Sequence, residues 1–163
     1  EEVGLLVLIQ AIRKELDLPI IAAGGIVDGT GMAAVFAAGA EGIQMGTRFV
    51  SSEESPVHEN FKNKILDSTI QGTWILNKTS KPVIRALRTD FTKKIHEAGV
   101  MEMNDMSNIQ DLYFGGDMNA APALSGQSVG LIDEVKSVKD IIDQTVLEFN
   151  ETCNNLSNFK LEV

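Results

Sequence analysis

Apolar residues recur at helical spacing from the start of the chain. Leu5, Leu8, Ile9, Ile12 and Leu16 fall on one face of the segment Glu2 to Leu16, with Arg13, Lys14 and Glu15 largely off it. The spacing predicts an amphipathic helix, ended by Asp17-Leu18-Pro19 because the residue before a proline avoids the α region. The pattern then shortens. Pro19 to Ala23 is an apolar run closed by Gly24-Gly25, and Gly42 to Met45 is a second run closed by Gly46-Thr47. Between them Gly29 to Gly39 is rich in alanine, with Met32, Val35 and Phe36 at helical spacing. Strand, glycine turn, helix, strand, glycine turn is one βαβ unit of a parallel sheet.

Beyond Thr47, Ser55 and Pro56 can start a helix in which Val57, Phe61 and Ile65 recur every fourth residue, with His58 bonded locally in its opening turn. Periodicity weakens from Thr69 to Thr79, around Trp74, Ile75 and Leu76, which predicts an extended segment. Pro82 is expected to open a second helix, with Val83, Leu87, Phe91 and Ile95 on one face and Arg85, Arg88, Lys93 and Lys94 as its solvated side. Gly99 caps it. Met101 to Asn108 reads as an irregular linker, and small residues dominate from Asn119 to Ile132. A last amphipathic helix places Val135, Val138, Ile141, Ile142, Val146 and Phe149 on its apolar face, and from Glu151 onward a mobile tail is expected.

Charge narrows the function classes. The net charge of -9 and the pI near 4.7 argue against nucleic-acid binding, which needs clustered Lys and Arg; the one locally basic region, Lys78 to Lys94, is interrupted by Asp90. A single cysteine, Cys153, excludes an internal disulfide and fits a reducing, cytoplasmic setting. No apolar run reaches the roughly 20 residues of a membrane helix, and no signal peptide is visible. His58 and His96 have no companion cysteines, so no metal site is expected. The 163 residues fall short of the about 250 that a (β/α)8 barrel typically needs. The chain is therefore expected to be the carboxyl-terminal part of a longer protein.

The paired glycine turns carry the candidate chemistry. A backbone without side chains lets an anion approach its amides, and the loops after the last two strands of a (β/α)8 barrel are the usual place for a phosphate. The plainer alternative is that these glycines only make tight turns. The pairing of the two turns, and the hydroxyl of Thr47, favour phosphate.

The stretch IIAAGGIVDGTGMAAVFAAGAEGIQMGTRFVSSEESPVHENFKNKI resembles the carboxyl-terminal half of the nitronate monooxygenase family, the former 2-nitropropane dioxygenases, and GGDMNAAPALSGQSVGLI resembles the closing segment of the same family. The resemblance implies an α/β chain that forms the carboxyl-terminal part of an FMN-binding (β/α)8 barrel plus a mostly helical lid. Residues 1–67 would supply the last barrel units, 68–114 the lid, 115–150 the closing segment and carboxyl-terminal helix, and 151–163 the mobile tail. The family's FMN phosphate contacts fall on the turn at Gly24 and Gly25 and on Gln44, Met45, Gly46 and Thr47. Its catalytic base is a histidine in a loop expected upstream of Glu1; neither His58 nor His96 matches that motif, so no catalytic residue is expected in this chain, and the chain alone is expected to be inactive.

Gln127 stands out among the small residues from Ala123 to Gly130. Its amide suits a flavin edge or a substrate oxygen, or else satisfies buried backbone groups. The implied partners are a small-molecule substrate and oxygen, and a homodimer is compatible with the sequence. A second family, the flavin-dependent enoyl-ACP reductases, resembles the chain through the same GTRF and GQ segments. It would bring a reduced nicotinamide and an acidic acyl carrier protein, with Arg85, Arg88, Lys93 and Lys94 as the docking patch. A non-catalytic flavin- or phosphate-binding module is the third reading.

Overall fold

β1 (Ile21–Ala23) and β2 (Gly42–Gln44) pair in parallel, with Ile21 opposite Gly42 and Ala23 opposite Gln44. α2 (Gly29–Ala37) crosses between them, capped by Asp28, whose carboxylate accepts the Gly31 N–H at 2.7 Å. α1 (Leu5–Glu15) packs Ile9 into a cluster with Ala22, Ile26, Val35 and Ala40. Its Arg13 donates to the Gly39 carbonyl from Nε at 3.1 Å and Nη2 at 2.7 Å, holding the turn in which Gly39 has φ +112°. The computed structural model describes residues 3–159.

The last helix departs from its sequence reading in two ways. α7 (Val138–Ser157) has 20 residues and runs on through the segment expected to be a mobile tail; residues 160–163 of that tail lie outside the described residues. Ser137 caps the helix by accepting the Asp140 N–H at 3.0 Å, Lys139 pairs with Asp143, Gln144 Nε2 donates to Glu148 Oε1 at 2.6 Å, and no glycine or proline interrupts it. Its covered stripe is also different. Ile141 and Thr145 are buried, while Ile142 and Val146 are exposed. α2 sets that stripe by packing close on the α7 backbone, where a Cβ on Gly29 would lie 2.2 Å from Phe149 N and 2.4 Å from Thr145 O; Gly29 N also donates to Glu148 Oε2 at 3.0 Å, and Phe36 meets Phe149 edge to face at 5.2 Å. Helices that touch through backbone need small residues, not a wide apolar band, and GTGMAA in α2 supplies them.

Two compact units divide the chain, one containing the residues up to Met45 together with Ser137 onward, the other Gly46–Lys136. The second unit opens with α3 (Thr47–Val50) and α4 (Glu59–Leu66). α4 begins later than Ser55 and Pro56 predict. Ser55 is engaged in a turn, its N–H donating to Ser52 Oγ at 3.2 Å, and the cap is His58, whose Nδ1 accepts the Asn60 N–H at 3.1 Å.

The first part of the helix expected from Pro82 is instead a strand. β3 (Thr73–Leu76) and β4 (Ile84–Leu87) form an antiparallel pair, Thr73 opposite Leu87 and Leu76 opposite Ile84. Leu76, Ala86 and Leu87 are fully buried, and Leu87 N donates to Ala123 O at 2.8 Å, so the hairpin gains further backbone bonding on that side. α5 (Asp90–Ala98) starts only after Thr89, where Thr89 and Thr92 form a reciprocal capping box, and ends at Gly99 with φ +75°. The region read as a mostly helical lid thus contains a β-hairpin.

α6 (Ile109–Tyr113) follows a 3-10 turn at Met103–Met106. Phe61 of α4 is fully buried and meets Tyr113 edge to face at 5.2 Å. Burial pushes the Tyr113 phenol above its ordinary range. The folded state therefore favours the neutral phenol: its contribution is whole below the unfolded range, about pH 10, and is lost as pH rises through the folded one. Tyr113→Phe should remove that alkaline loss. Since Tyr113 is the chain's only tyrosine, its phenolate absorbance reports the titration directly; parallel alkaline falls in melting temperature for both proteins would contradict the assignment.

Candidate functional site

The first unit contributes the turn after β1 and the end of β2. Gly24 and Gly25 have φ +103° and +75°, a left-handed backbone that explains glycine at both positions. Both are exposed, and a Cβ placed on either would meet nothing within 4 Å. The parallel register sets Gln44 beside Ala23, so the carboxyl ends of both strands open at the same edge of the pair. Gln44 is exposed, whereas Met45 packs its side chain against the core of this unit and offers only its backbone.

The second unit begins at Gly46 and Thr47. Gly46 is exposed, has φ -97°, and likewise has nothing within 4 Å of a Cβ position. Neither backbone conformation nor packing within the chain accounts for glycine here. Thr47 is half-buried, and its Oγ1 accepts the Gly126 N–H at 2.9 Å. That bond occupies a lone pair and leaves the hydroxyl proton to donate, as an anion needs. Next to it Arg48 is buried and donates from Nη1 to the Glu134 carbonyl at 2.9 Å, so its cation has a structural role. Within the first unit Gly24 and Gly25, and within the second Gly46 and Thr47, each fit a phosphate-bearing cofactor, since open backbone and a hydroxyl are what a dianion needs without a basic side chain.

His58 caps α4, and His96 stacks on Trp74 with ring centroids 4.1 Å apart. Among the described residues no group of three or more His, Cys, Asp or Glu could hold a metal ion, and no helix is long and apolar enough to cross a membrane. Gln127 opens the 3-10 turn Gln127–Leu131 and is exposed, so it does not serve buried backbone groups. It lines a cleft of about 520 Å³ with Trp74, Lys78, Arg85, Arg88 and His96. The sequence reading missed this grouping, because Arg85 and Arg88 were read as the outer face of a helix. The signal available was the exposed basic run itself, and the register that aligns it with Trp74 is visible only in the hairpin.

The comparisons give this α/β chain its class, part of a flavin-binding barrel. The nitronate monooxygenase family matches residues 1–148, and the chain belongs to that family. A probable nitronate monooxygenase from Staphylococcus saprophyticus is 30% identical over 159 residues, covering 93% of this chain and 44% of that protein. The structure of FabK from Thermotoga maritima superimposes with a TM-score of 0.90 at 41% identity, covering 98% of this chain and 53% of that one. Nitroalkane oxidase from Streptomyces ansochromogenes superimposes with a TM-score of 0.81 at 26% identity, covering 94% and 46%. The chain spans about half the length of the relatives it matches.

Proposed function

We propose that the protein is an FMN-dependent oxidoreductase of the nitronate monooxygenase type that oxidises alkyl nitronates with molecular oxygen. The single observation that carries the cofactor half of this reading is Gly46, an exposed glycine that neither φ nor packing requires. The amides of Gly24, Gly25, Gln44, Met45 and Gly46 and the Thr47 hydroxyl would hold the FMN phosphate. Held there, FMN would supply the redox chemistry between nitronate and oxygen. What these residues do is bind and orient: they fix the phosphate, and through it the position of the ring. Gln127 is assigned to the substrate side of the same enzyme, as an exposed amide with donor and acceptor atoms. The soluble, cytoplasmic setting read from the sequence is kept with this reading.

The likeness to FabK, an enoyl-ACP reductase, over nearly the whole chain favours a second reading, in which the flavin passes electrons from a reduced nicotinamide to an enoyl thioester and an acyl carrier protein is the partner. One assay separates the two. The flavin-loaded full-length protein is expected to consume oxygen on addition of propyl nitronate, with turnover at least tenfold above that with NADPH and a crotonyl thioester. Nicotinamide oxidation that depends on the thioester, without nitronate turnover, would transfer the function to the reductase. Tight flavin binding with neither activity would leave a binding module.

A further inference from the structure

We infer that the Thr47 hydroxyl couples the phosphate end of the site to its substrate end: an anion held beside Gly46 fixes, through that hydroxyl, the turn that carries Gln127. The inference rests on the flavin reading above and adds a positioning residue to it. Thr47 Oγ1 accepts the Gly126 N–H at 2.9 Å across 79 residues of chain, and Gly126 directly precedes the 3-10 turn Gln127–Leu131. One oxygen thus has its proton assigned to the phosphate and a lone pair bonded to the backbone beside Gln127. Gly126 itself has φ -79° and ψ 170°, an extended backbone that any residue adopts. A Cβ on it would meet Ser128 Oγ at 3.4 Å and Thr47 Oγ1 at 3.6 Å, which is ordinary contact. Glycine is therefore unforced at 126, as it is at 46. Both positions neighbour the same hydroxyl, one in sequence and one through a hydrogen bond, and a ligand reaching that hydroxyl needs bare backbone at both.

The turn is anchored on both sides of this stretch. Before it, Ser125 N donates to Arg85 O at 3.2 Å. After it, Gly130 lies so close to the neighbouring loop that a Cβ there would sit 2.1 Å from Ile70 N and 2.4 Å from Thr69 C, and Val129 is fully buried. Gly126 and Gln127 fall between these anchors, where Thr47 supplies the bond to the rest of the unit. A hydroxyl that donates to an anion becomes a better acceptor, because each hydrogen bond in a chain polarises the next. Its rotation is fixed as well, which keeps a lone pair aimed at the Gly126 N–H. Phosphate should therefore tighten the Gly126 bond and narrow the positions open to the Gln127 amide. By linkage the effect is mutual, so whatever Gln127 holds should strengthen phosphate binding by the same factor.

Hydrogen exchange of the full-length protein reads this coupling. Loading with FMN should slow exchange over Gly126–Leu131 by about fivefold or more in the parent and in Thr47→Ser, which keeps the hydroxyl. Thr47→Val keeps the shape and loses both bonds; at FMN concentrations that restore the full flavin absorbance, its exchange there should stay at the rate of the empty protein. In turnover, Thr47→Val should raise KM for propyl nitronate by about tenfold, a larger factor than its loss in kcat, and Thr47→Ser should bring KM back. Gln127→Leu should raise KM in the parent but add little to Thr47→Val, since the two residues act through one link. If the reductase reading holds, the crotonyl thioester takes the place of the nitronate in the same comparison. A parent that binds FMN while Gly126–Leu131 exchanges alike in the loaded and empty forms would overturn the coupling and leave the flavin reading standing. Fully additive effects of the two substitutions on KM would do the same. A parent that takes up no FMN would overturn the flavin reading, and the coupling with it.

Discussion

Gly46→Val will leave the purified protein without flavin. Two methyl groups would project into the space from which a phosphate approaches the backbone, a space in which the chain itself places nothing within 4 Å. Steric exclusion of a dianion from its amides should lower FMN affinity by roughly 100-fold or more, about 3 kcal/mol. Because no neighbour is displaced, the flavin-free variant should melt within a few degrees of the flavin-free parent. Loss of the flavin spectrum with an unchanged apoprotein melt is the expected pair of results. A variant that retains a full yellow complement of FMN would remove Gly46 from the site.

A large loss of stability should come from Gly29→Ala. The new methyl carbon would lie 2.2 Å from Phe149 N, 2.4 Å from Thr145 O and 2.6 Å from Glu148 C. All three are backbone atoms of α7 and cannot rotate aside, so the helices must separate, weakening the Gly29 to Glu148 hydrogen bond and the Phe36–Phe149 contact as they do. A cost of about 3 kcal/mol or more is expected, at the upper end for overpacking a core. Denaturant unfolding measures it. A loss under about 1 kcal/mol would mean that α7 does not lie so close to α2 in solution.

The βαβ unit was legible because its signals are local: two apolar runs of strand length, each closed by glycine, with an alanine-rich helix between them. The glycines of the candidate site were legible for the same reason. What stayed hidden depends on partners distant in sequence. Val83, Leu87, Phe91 and Ile95 recur every fourth residue by accident, and the pairing of β4 with β3 overrides that period; Thr89 and Thr92 carried the true start of the helix. The buried stripe of α7 runs through Thr145 instead of Val146, since a glycine contact between backbones leaves no hydrophobic signature. Trp74 and Arg88 look unrelated along the chain, and only the hairpin register sets Trp74 opposite Ala86 and brings the guanidinium over the indole.

The first unit is interrupted by the second, and this has a consequence for synthesis. Gly29 and its partner Glu148 are separated by 119 residues. At a translation rate of about 5 to 20 residues per second, α2 waits roughly 6 to 24 s for the helix that covers it. Gly46–Lys136 is complete in the nascent chain before α7 has been made. The hairpin unit can thus close while α2, with its small-residue face, is still uncovered. A ribosome-bound chain in which a linker long enough to span the exit tunnel follows Lys136 should carry a protease-resistant second unit and a first unit that is cleaved, whereas the released chain with α7 should be protected in both.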